Sequence, residues 1–351
     1  MKSFISQAYT AGGLSALNTQ NTNGLFTYIL KGYPRSLKRE LIKSVQNVCG
    51  KCEAEYDLFA EPFSLVCREK GFAITDGTRP FTAEPETYGI SDCIIDLGAY
   101  QNSAVLQSRR DEALALFKEI GRLEKRCSEF ISAAKGIADG CTETEAPAVN
   151  RPALNRFAAR LWKKYGRPPT GRIGRETKYF AEVLTPSGLV FPFEKFRSLC
   201  RDITVINDFS AAIAAPLTDK IRLYALSCGF DVISFADFTD GKTVRHVIIP
   251  EIGFGIYCEK TLKAQLEDIK RIRKNRFLDS GYTDRFRSRT AFCKKAYGEL
   301  LDEAARSLGE AEELKLKLDG IYLSTADTEK FLSESTLRIC GFDKSLQKVY
   351  N

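Results

Sequence analysis

An α/β fold built from two copies of one module is what this sequence predicts, and three observations carry the expectation. Four short blocks recur in the same order along the chain. An apolar run feeds a Gly/Pro loop with a lysine and then an amphipathic stretch, which reads as strand, loop and helix. A further apolar run closes on a carboxylate. With 351 residues, 44% hydrophobic and 28% charged, the chain is long enough for two ordinary domains with sizeable cores.

The repeat is visible residue by residue. Thr10-Ala11-Gly12-Gly13-Leu14 returns as Thr185-Pro186-Ser187-Gly188-Leu189. Phe26 to Leu30 returns as Ile203 to Asn207, and Glu53 to Tyr56 as Asp231 to Ser234. Ser64 to Ile74 returns as His246 to Ile256. The separation drifts from 175 to 182 residues, as small loop insertions would make it. A period of this length means tandem domains rather than a solenoid. The expected division is a first module over 1–145, a linker and short helix over 146–170, and a second module over 171–351.

Each element follows in order. Phe26 to Leu30 reads as a strand, Gly32-Tyr33-Pro34-Arg35-Ser36-Leu37-Lys38-Arg39 as the loop, and Glu40 to Val48 as an amphipathic helix. This is the layout of a Walker A loop, G-x-x-x-x-G-K-[ST], with Leu37 at the second glycine and Arg39 at the hydroxyl. Glu53 to Phe59 reads as a second strand. Gly71 to Asp76 reads as a buried strand whose last residue is either a Walker B carboxylate or the start of an Asp76-Gly77 turn. The loop Gly77-Thr78-Arg79-Pro80 leaves that strand. Cys93 to Leu97 is another apolar segment. Ala104 to Ile137 has helical periodicity, with Leu106, Leu114, Phe117, Ile120, Leu123 and Cys127 on one face. Ala138 to Pro147 is acidic, small and turn-prone, the best linker. Arg151 to Tyr165, with the single tryptophan Trp162, reads as a short amphipathic helix broken by Gly166 to Gly171. In the second copy the loop is Asp208 to Ala215, with Ala214 where Lys38 stands in the first, so that copy reads as structural.

Other chemistries find little purchase. Cys49-Gly50-Lys51-Cys52 has no second pair at metal-ligand spacing and reads as a helix end. The only histidine, His246, reads as a strand-edge residue, which leaves no imidazole for a Ser-His-Asp triad. Eleven scattered cysteines read as reduced, buried thiols of a cytoplasmic protein. No apolar run approaches a membrane span, and Met1-Lys2-Ser3-Phe4-Ile5 lacks a signal-peptide core. Net charge is +7, and Lys270 to Lys295 is rich in cations with Phe277, Tyr282, Phe286 and Phe292 interleaved. That segment could grip nucleic acid, although a solvated helix face is the favoured reading.

The chain resembles the duplicated P-loop ATPase-like proteins of Firmicutes-type bacteria, over most of residues 4–340. The resemblance rests on Tyr9-Thr10-Ala11-Gly12-Gly13-Leu14, on Ile29-Leu30-Lys31-Gly32, and on Ile74-Thr75-Asp76-Gly77-Thr78-Arg79-Pro80. It rests also on Ile94-Ile95-Asp96-Leu97-Gly98, on Leu184-Thr185-Pro186-Ser187-Gly188 and on Ile248-Ile249-Pro250-Glu251. It implies tandem P-loop NTPase-like modules, each a mostly parallel sheet flanked by helices, with long helical segments. Gly32 and Lys38 match the family's loop, Leu37 and Arg39 depart from it, and the second copy's loop departs throughout. Gly32, Arg35, Ser36, Lys38 and Arg39 are the candidate nucleotide-binding residues, with Asp76 as the Walker B carboxylate. ATP is the candidate cofactor, and the loss of the hydroxyl at 39 argues against Mg²⁺. The expected role is a non-catalytic or weakly nucleotide-binding protein acting in regulation or on a protein partner. Residual ATP hydrolysis in the first module, and nucleic-acid binding by 270–295, are the alternatives.

Overall fold

The computed structural model describes residues 4–17, 22, 24–78, 83–166, 171–261, 269–279 and 281–341, with the side chains of 282–285 outside that description. The leader reading at Met1 to Ser3, the Arg79-Pro80 end of the loop after Asp76, and the Arg167 to Thr170 part of the helix break fall outside the described residues. In chain order the first half runs β1 (Gln7–Thr10), β2 (Gly13–Ala16), β3 (Phe26–Lys31), α1 (Arg35–Cys49), β4 (Glu53–Tyr56), β5 (Pro62–Cys67), β6 (Phe72–Asp76) and β7 (Asp92–Asp96). Helices α2 (Ser103–Ser108), α3 (Arg110–Glu145) and α4 (Arg151–Tyr165) follow. The second half runs β8 (Glu176–Phe180), β9 (Val183–Thr185), β10 (Gly188–Val190), α5 (Phe193–Ser198), β11 (Asp202–Asn207), α6 (Ala214–Ser227), β12 (Val232–Ala236), β13 (Val244–Ile249), β14 (Phe254–Glu259) and β15 (Lys270–Ile272). It closes with α7 (Tyr282–Leu323) and α8 (Thr328–Cys340).

Two sheets carry one topology. The five-stranded sheet has the order β4-β5-β6-β3-β7 and the six-stranded sheet the order β8-β12-β13-β14-β11-β15. Strand for strand, β12-β13-β14-β11-β15 repeats the first sheet, with β8 added at one edge. In each, the strand before the helix lies between two parallel neighbours, while the remaining shared pairs are antiparallel. The sheets are therefore mixed rather than mostly parallel. The reason is local: β4-β5-β6 and β12-β13-β14 are joined by short turns, and a short turn can only return a strand antiparallel to its neighbour.

The ladders also refine the repeat. Phe26 pairs with Phe72 as Asp202 pairs with Phe254, so Phe26 corresponds to Asp202, one residue before the sequence match. Glu53 pairs with Val66 as Ile233 pairs with Ile248, two residues beyond it. In this register even the bulge recurs, at Glu55/Tyr56 and at Phe235/Ala236. The β1-β2 and β9-β10 hairpins recur too. Thr10 Oγ1 donates to Gly13 O and Thr185 Oγ1 to Gly188 O, each at 2.9 Å.

The chain divides into two compact units, each assembled from separate stretches: Met1–Thr19 with Lys125–Ser307, and Gln20–Glu124 with Leu308–Asn351. We call them the β11 unit and the β3 unit. The expected cut at 145 coincides with neither, and Ala138 to Glu145, expected as linker, is the last part of α3. Its threonines keep the helix by donating back one turn, Thr142 to Ala138 O at 3.0 Å and Thr144 to Gly140 O at 2.7 Å. The expected helix over 104–137 is split between α2 and α3, and Leu114 of its apolar face is 49% exposed. The expected helix over Arg151 to Tyr165 is α4.

In the β3 unit, Leu37, Leu41 and Val45 of α1 pack with Tyr28, Leu30 and Ile74 of the sheet and with Phe331 and Ile339 of α8. In the β11 unit both sheet faces are covered. One carries α4 and α6 through Phe157, Leu161, Leu217 and Ile221. The other carries Phe4, Phe191 and Phe196 against Phe235 and Tyr257. Among the described residues no helix is long and apolar enough to cross a membrane.

Gly13 and Gly188 sit at φ +109° and +103°, where a side chain is strained, and an added Cβ meets nothing within 4 Å at either. Substitution by alanine is expected to destabilise by about 1 kcal/mol at each, from backbone strain alone. Gly121, in the interior of α3 with equally open surroundings, gives the opposite sign: Gly121→Ala should stabilise by roughly 0.5–1 kcal/mol. Urea unfolding midpoints of the three variants test both signs.

Candidate functional site

At the carboxyl end of β3 the chain turns at Gly32, φ +94°, and enters α1 at Arg35. Helical geometry from Arg35 onward puts Arg35 and Ser36 in the first turn rather than in a loop. It also turns Leu37, 2% exposed, into the core beneath the helix. Leucine at the glycine position is thus a packing residue. Pro34 precedes the helix and makes no side-chain cap. The opening amides go instead to Asp319 of α7: Arg35 N–H donates to Oδ1 at 3.1 Å and Ser36 N–H to Oδ2 at 3.0 Å. A helix N-terminus attracts anions, and here a carboxylate of the same chain holds that position.

Lys38 is 1% exposed. Its Nζ donates to Asp76 at 2.7 Å and to Thr78 Oγ1 at 2.8 Å. Asp76 ends β6 beside Leu30 of β3, and its Oδ1 also accepts from Thr78 N–H at 2.9 Å. Thr78 Oγ1 donates to Gly32 O at 3.3 Å. Burial pulls the Lys38 ammonium below its ordinary value, against the opposing pull of Asp76. Gly77 is fixed by space, since a Cβ there would lie 2.4 Å from Ile29 Cγ2.

The other cations of the loop are engaged as well. Arg35 Nη2 donates to Glu312 at 2.8 Å. Burial opposes that charge, but Glu312 outweighs it and holds the guanidinium above its ordinary value. Arg39 pairs with Asp57, which is 5% exposed. Burial pushes the Asp57 carboxyl up while Arg39 and the Glu61 and Phe59 amides pull it down. The structure thus brings Gly32, Lys38 and Asp76 together, and sends Arg35, Ser36 and Arg39 to carboxylates of their own.

The second copy repeats the plan with other atoms. Asp208 follows β11 and is wholly buried. Its Oδ2 accepts from Ile213 N–H at 3.0 Å and Ala214 N–H at 2.9 Å, the amides that open α6. Lys274 Nζ lies 3.4 Å from Asp208 Oδ1 and 2.6 Å from Glu145 Oε1. Burial alone would raise the Asp208 carboxyl, but Lys274 and the two amides hold it below the ordinary carboxylate range. Asp237 occupies the place of Asp57. Each accepts the amide two residues on, Phe59 at 2.9 Å and Thr239 at 3.0 Å. Lys260, in the place of Thr78, donates to Asp237 Oδ2 at 2.8 Å, and Arg245 lies 3.7 Å from the same oxygen.

A cavity of about 270 Å³ opens beside this cluster. Its charged lining is Asp139, Asp237 and Asp240 against Arg151, Arg245 and Lys260. Among the described lining residues the signs balance, so these offer no net charge to draw a phosphate.

Several residues the sequence singled out lie elsewhere. His246 is not at a strand edge: β13 is flanked by β12 and β14, and the ring is buried, stacked on Tyr257 at 4.1 Å. Its Nδ1 accepts from Cys258 N–H at 3.1 Å, and burial holds it well below the ordinary histidine value. In the basic segment Arg271 pairs with Glu259 at 2.6 Å, Lys274 with Glu145, and Lys295 with Glu299 at 3.8 Å. Arg276 lies over Phe157 and Phe277, and Phe277 is core. The side chains of Tyr282 and Arg285 fall outside the description. Asp319, Asp208, Asp57 and Asp237 were missed in the sequence. The last two would have stood out had the repeat been aligned on the bulges, where D-x-[FT] recurs two residues after each.

Comparison with protein-family models, curated proteins and solved structures finds no match to this chain.

Placing a glycine at position 37, as the Walker A pattern would have it, is expected to damage the protein. Leu37→Gly removes a core side chain and adds a glycine to a helix, and should destabilise by about 3–5 kcal/mol in urea unfolding. Asp208 gives a pH signature. A carboxyl whose folded-state value is depressed contributes stability above its unfolded value, about 4, and loses it as pH falls through the folded value. Stability should drop below about pH 4. Asp208→Asn should be less stable at neutral pH and show a shallower acid loss.

Proposed function

We propose that this chain is a two-module relative of P-loop nucleotide-binding proteins that no longer binds phosphate productively and acts in regulation or on a protein partner. One observation carries the reading: the amides that open α1, where a phosphate group would be cradled, are taken by the Asp319 carboxylate. A phosphate approaching that turn would have to displace a buried carboxylate and face its charge. Asp208 at the start of α6 supports the same reading for the second copy. The residues do not fit Mg²⁺ either. Position 39 carries a guanidinium paired with Asp57 rather than a hydroxyl, and phosphoryl transfer relies on metal to neutralise developing charge.

The second reading, weak ATP binding by the first module, is favoured by Lys38 standing against Asp76 and Thr78 below Gly32. There Lys38 would exchange its partners for phosphate oxygens. Nucleic-acid binding through 270–295 has less support, because Arg271, Lys274 and Lys295 already face carboxylates.

Calorimetric titration with ATP, with and without Mg²⁺, separates the readings. No saturable heat at millimolar ATP is expected. Saturable binding that disappears in Lys38→Met, with the fold of that variant verified by circular dichroism, would overturn the proposal and establish the first module as a nucleotide site. Asp319→Asn gives a finer check: weakening the carboxylate's claim on the amides should leave ATP binding absent if Leu37 and Arg39 also bar the site.

A further inference from the structure

Four thiols gather at one end of the β3 unit. Cys49 is the last residue of α1 and Cys340 the last of α8, and their sulfurs lie 3.5 Å apart. Cys52 follows Cys49 across a turn made by Gly50 at φ +75°, in which Cys52 N–H donates to Gly50 O at 2.8 Å. Cys67 ends β5 in the core against which Cys52 packs. The C-x-x-C that lacks a second pair in the sequence gains one through folding, from β5 and from α8. Cys49 and Cys340 are both partly exposed, whereas Cys67 is buried.

Packing holds the two helix ends side by side. Ser44 of α1 and Thr336 of α8 approach to 3.4 Å one turn back, and Val45, Phe331 and Ile339 lock the two helices into one core. The four sulfurs do not surround a common centre: no three His, Cys, Asp or Glu groups among the described residues are placed to hold a metal ion. They are arranged as pairs, which suits thiol–disulfide chemistry.

We propose that Cys49 and Cys340 are a reversible dithiol–disulfide pair, oxidised by low-molecular-weight disulfides of the glutathione class. The Cys49 thiolate attacks one sulfur of oxidised glutathione, and the first glutathione leaves as a thiolate that takes up the proton Cys49 lost. Cys340 then gives up its proton and attacks Cys49 Sγ, expelling the second glutathione, which is protonated in turn. Two protein thiols lose two electrons and two protons, and one glutathione disulfide becomes two thiols. The sulfurs need to close by only about 1.5 Å to reach bonding distance. Burial, with Cys49 adding to it, pushes the Cys340 thiol up to about 12, so Cys340 is a poor nucleophile toward free glutathione and its attack depends on Cys49 Sγ lying 3.5 Å away. The bond would tie the end of α8 to the end of α1.

The test uses the full chain, incubated with oxidised glutathione near about pH 8, quenched by alkylation and digested with trypsin without reductant. Lys51 separates Cys49 from Cys52, so their linkages are distinguishable by mass. A peptide pair joining Cys49 to Cys340, reversed by dithiothreitol, is the expected product. In Cys340→Ser the glutathione should remain on Cys49, a trapped intermediate that mere packing would not produce. Dominant Cys49–Cys52 linkage, a stable glutathione adduct in the unsubstituted chain, or no reaction without denaturant would each overturn the proposal.

Discussion

The first amides of a helix have no partner within the helix, and at α1 and α6 no water-exposed cap supplies one. Both helices follow a central parallel strand, so these amides point at the carboxyl end of a sheet and carry the positive end of a dipole. Asp319 answers this demand in one unit and Asp208 in the other. The surrounding charges then fall into line. Asp208 is wholly buried and needs Lys274, and Lys274 in turn takes Glu145. Arg35, drawn to the first turn of α1, takes Glu312 from the same helix that supplies Asp319. Removing one partner from such a buried network leaves an uncompensated charge, which costs far more than an exposed pair contributes.

The two copies solve a shared problem with different chemistry. In the first, a lysine on α1 reaches across to the end of β6, and Thr78 steadies it. In the second, the helix offers Ala214, and the lysine comes from the end of β14 as Lys260, paired with Asp237 instead. What both have is buried positive charge between the helix and the strand ends, held by a carboxylate: Lys38 on Asp76 in the first, Lys260 and Arg245 on Asp237 in the second. In both, the opening amides of the helix are taken by a carboxylate.

Much of the fold was legible in the sequence, because periodicity and turn residues are local signals. The strand, loop and helix at Phe26 to Val48, the strand ending at Asp76, the helix from Arg151 to Tyr165 and the ordered repeat all rest on such signals. The partly antiparallel sheet was less legible, since β5 and β13 are buried on both faces, as the strands of parallel sheets are. The linker was misread because the small, acidic stretch after Ala138 satisfies its backbone within α3. The candidate site was only half legible. Lys38 and Asp76 lie in a recognisable pattern, but Asp319 is separated from Arg35 by nearly the whole chain, and no spacing rule links them. The same distance hid Cys340 from Cys49.

The division of the chain bears on how it is made. Leu37 and Leu41 share a core with Phe331 and Ile339, so the β3 unit is complete only when α8 joins the earlier stretch. These partners lie far apart along the chain, and domains ordinarily fold as units once all their residues are present. The β11 unit, whose described core ends with α7, can close first. Without α8, the part of the α1 face that meets Phe331 and Ile339 lacks its cover, while the sheet still packs against the rest of that helix.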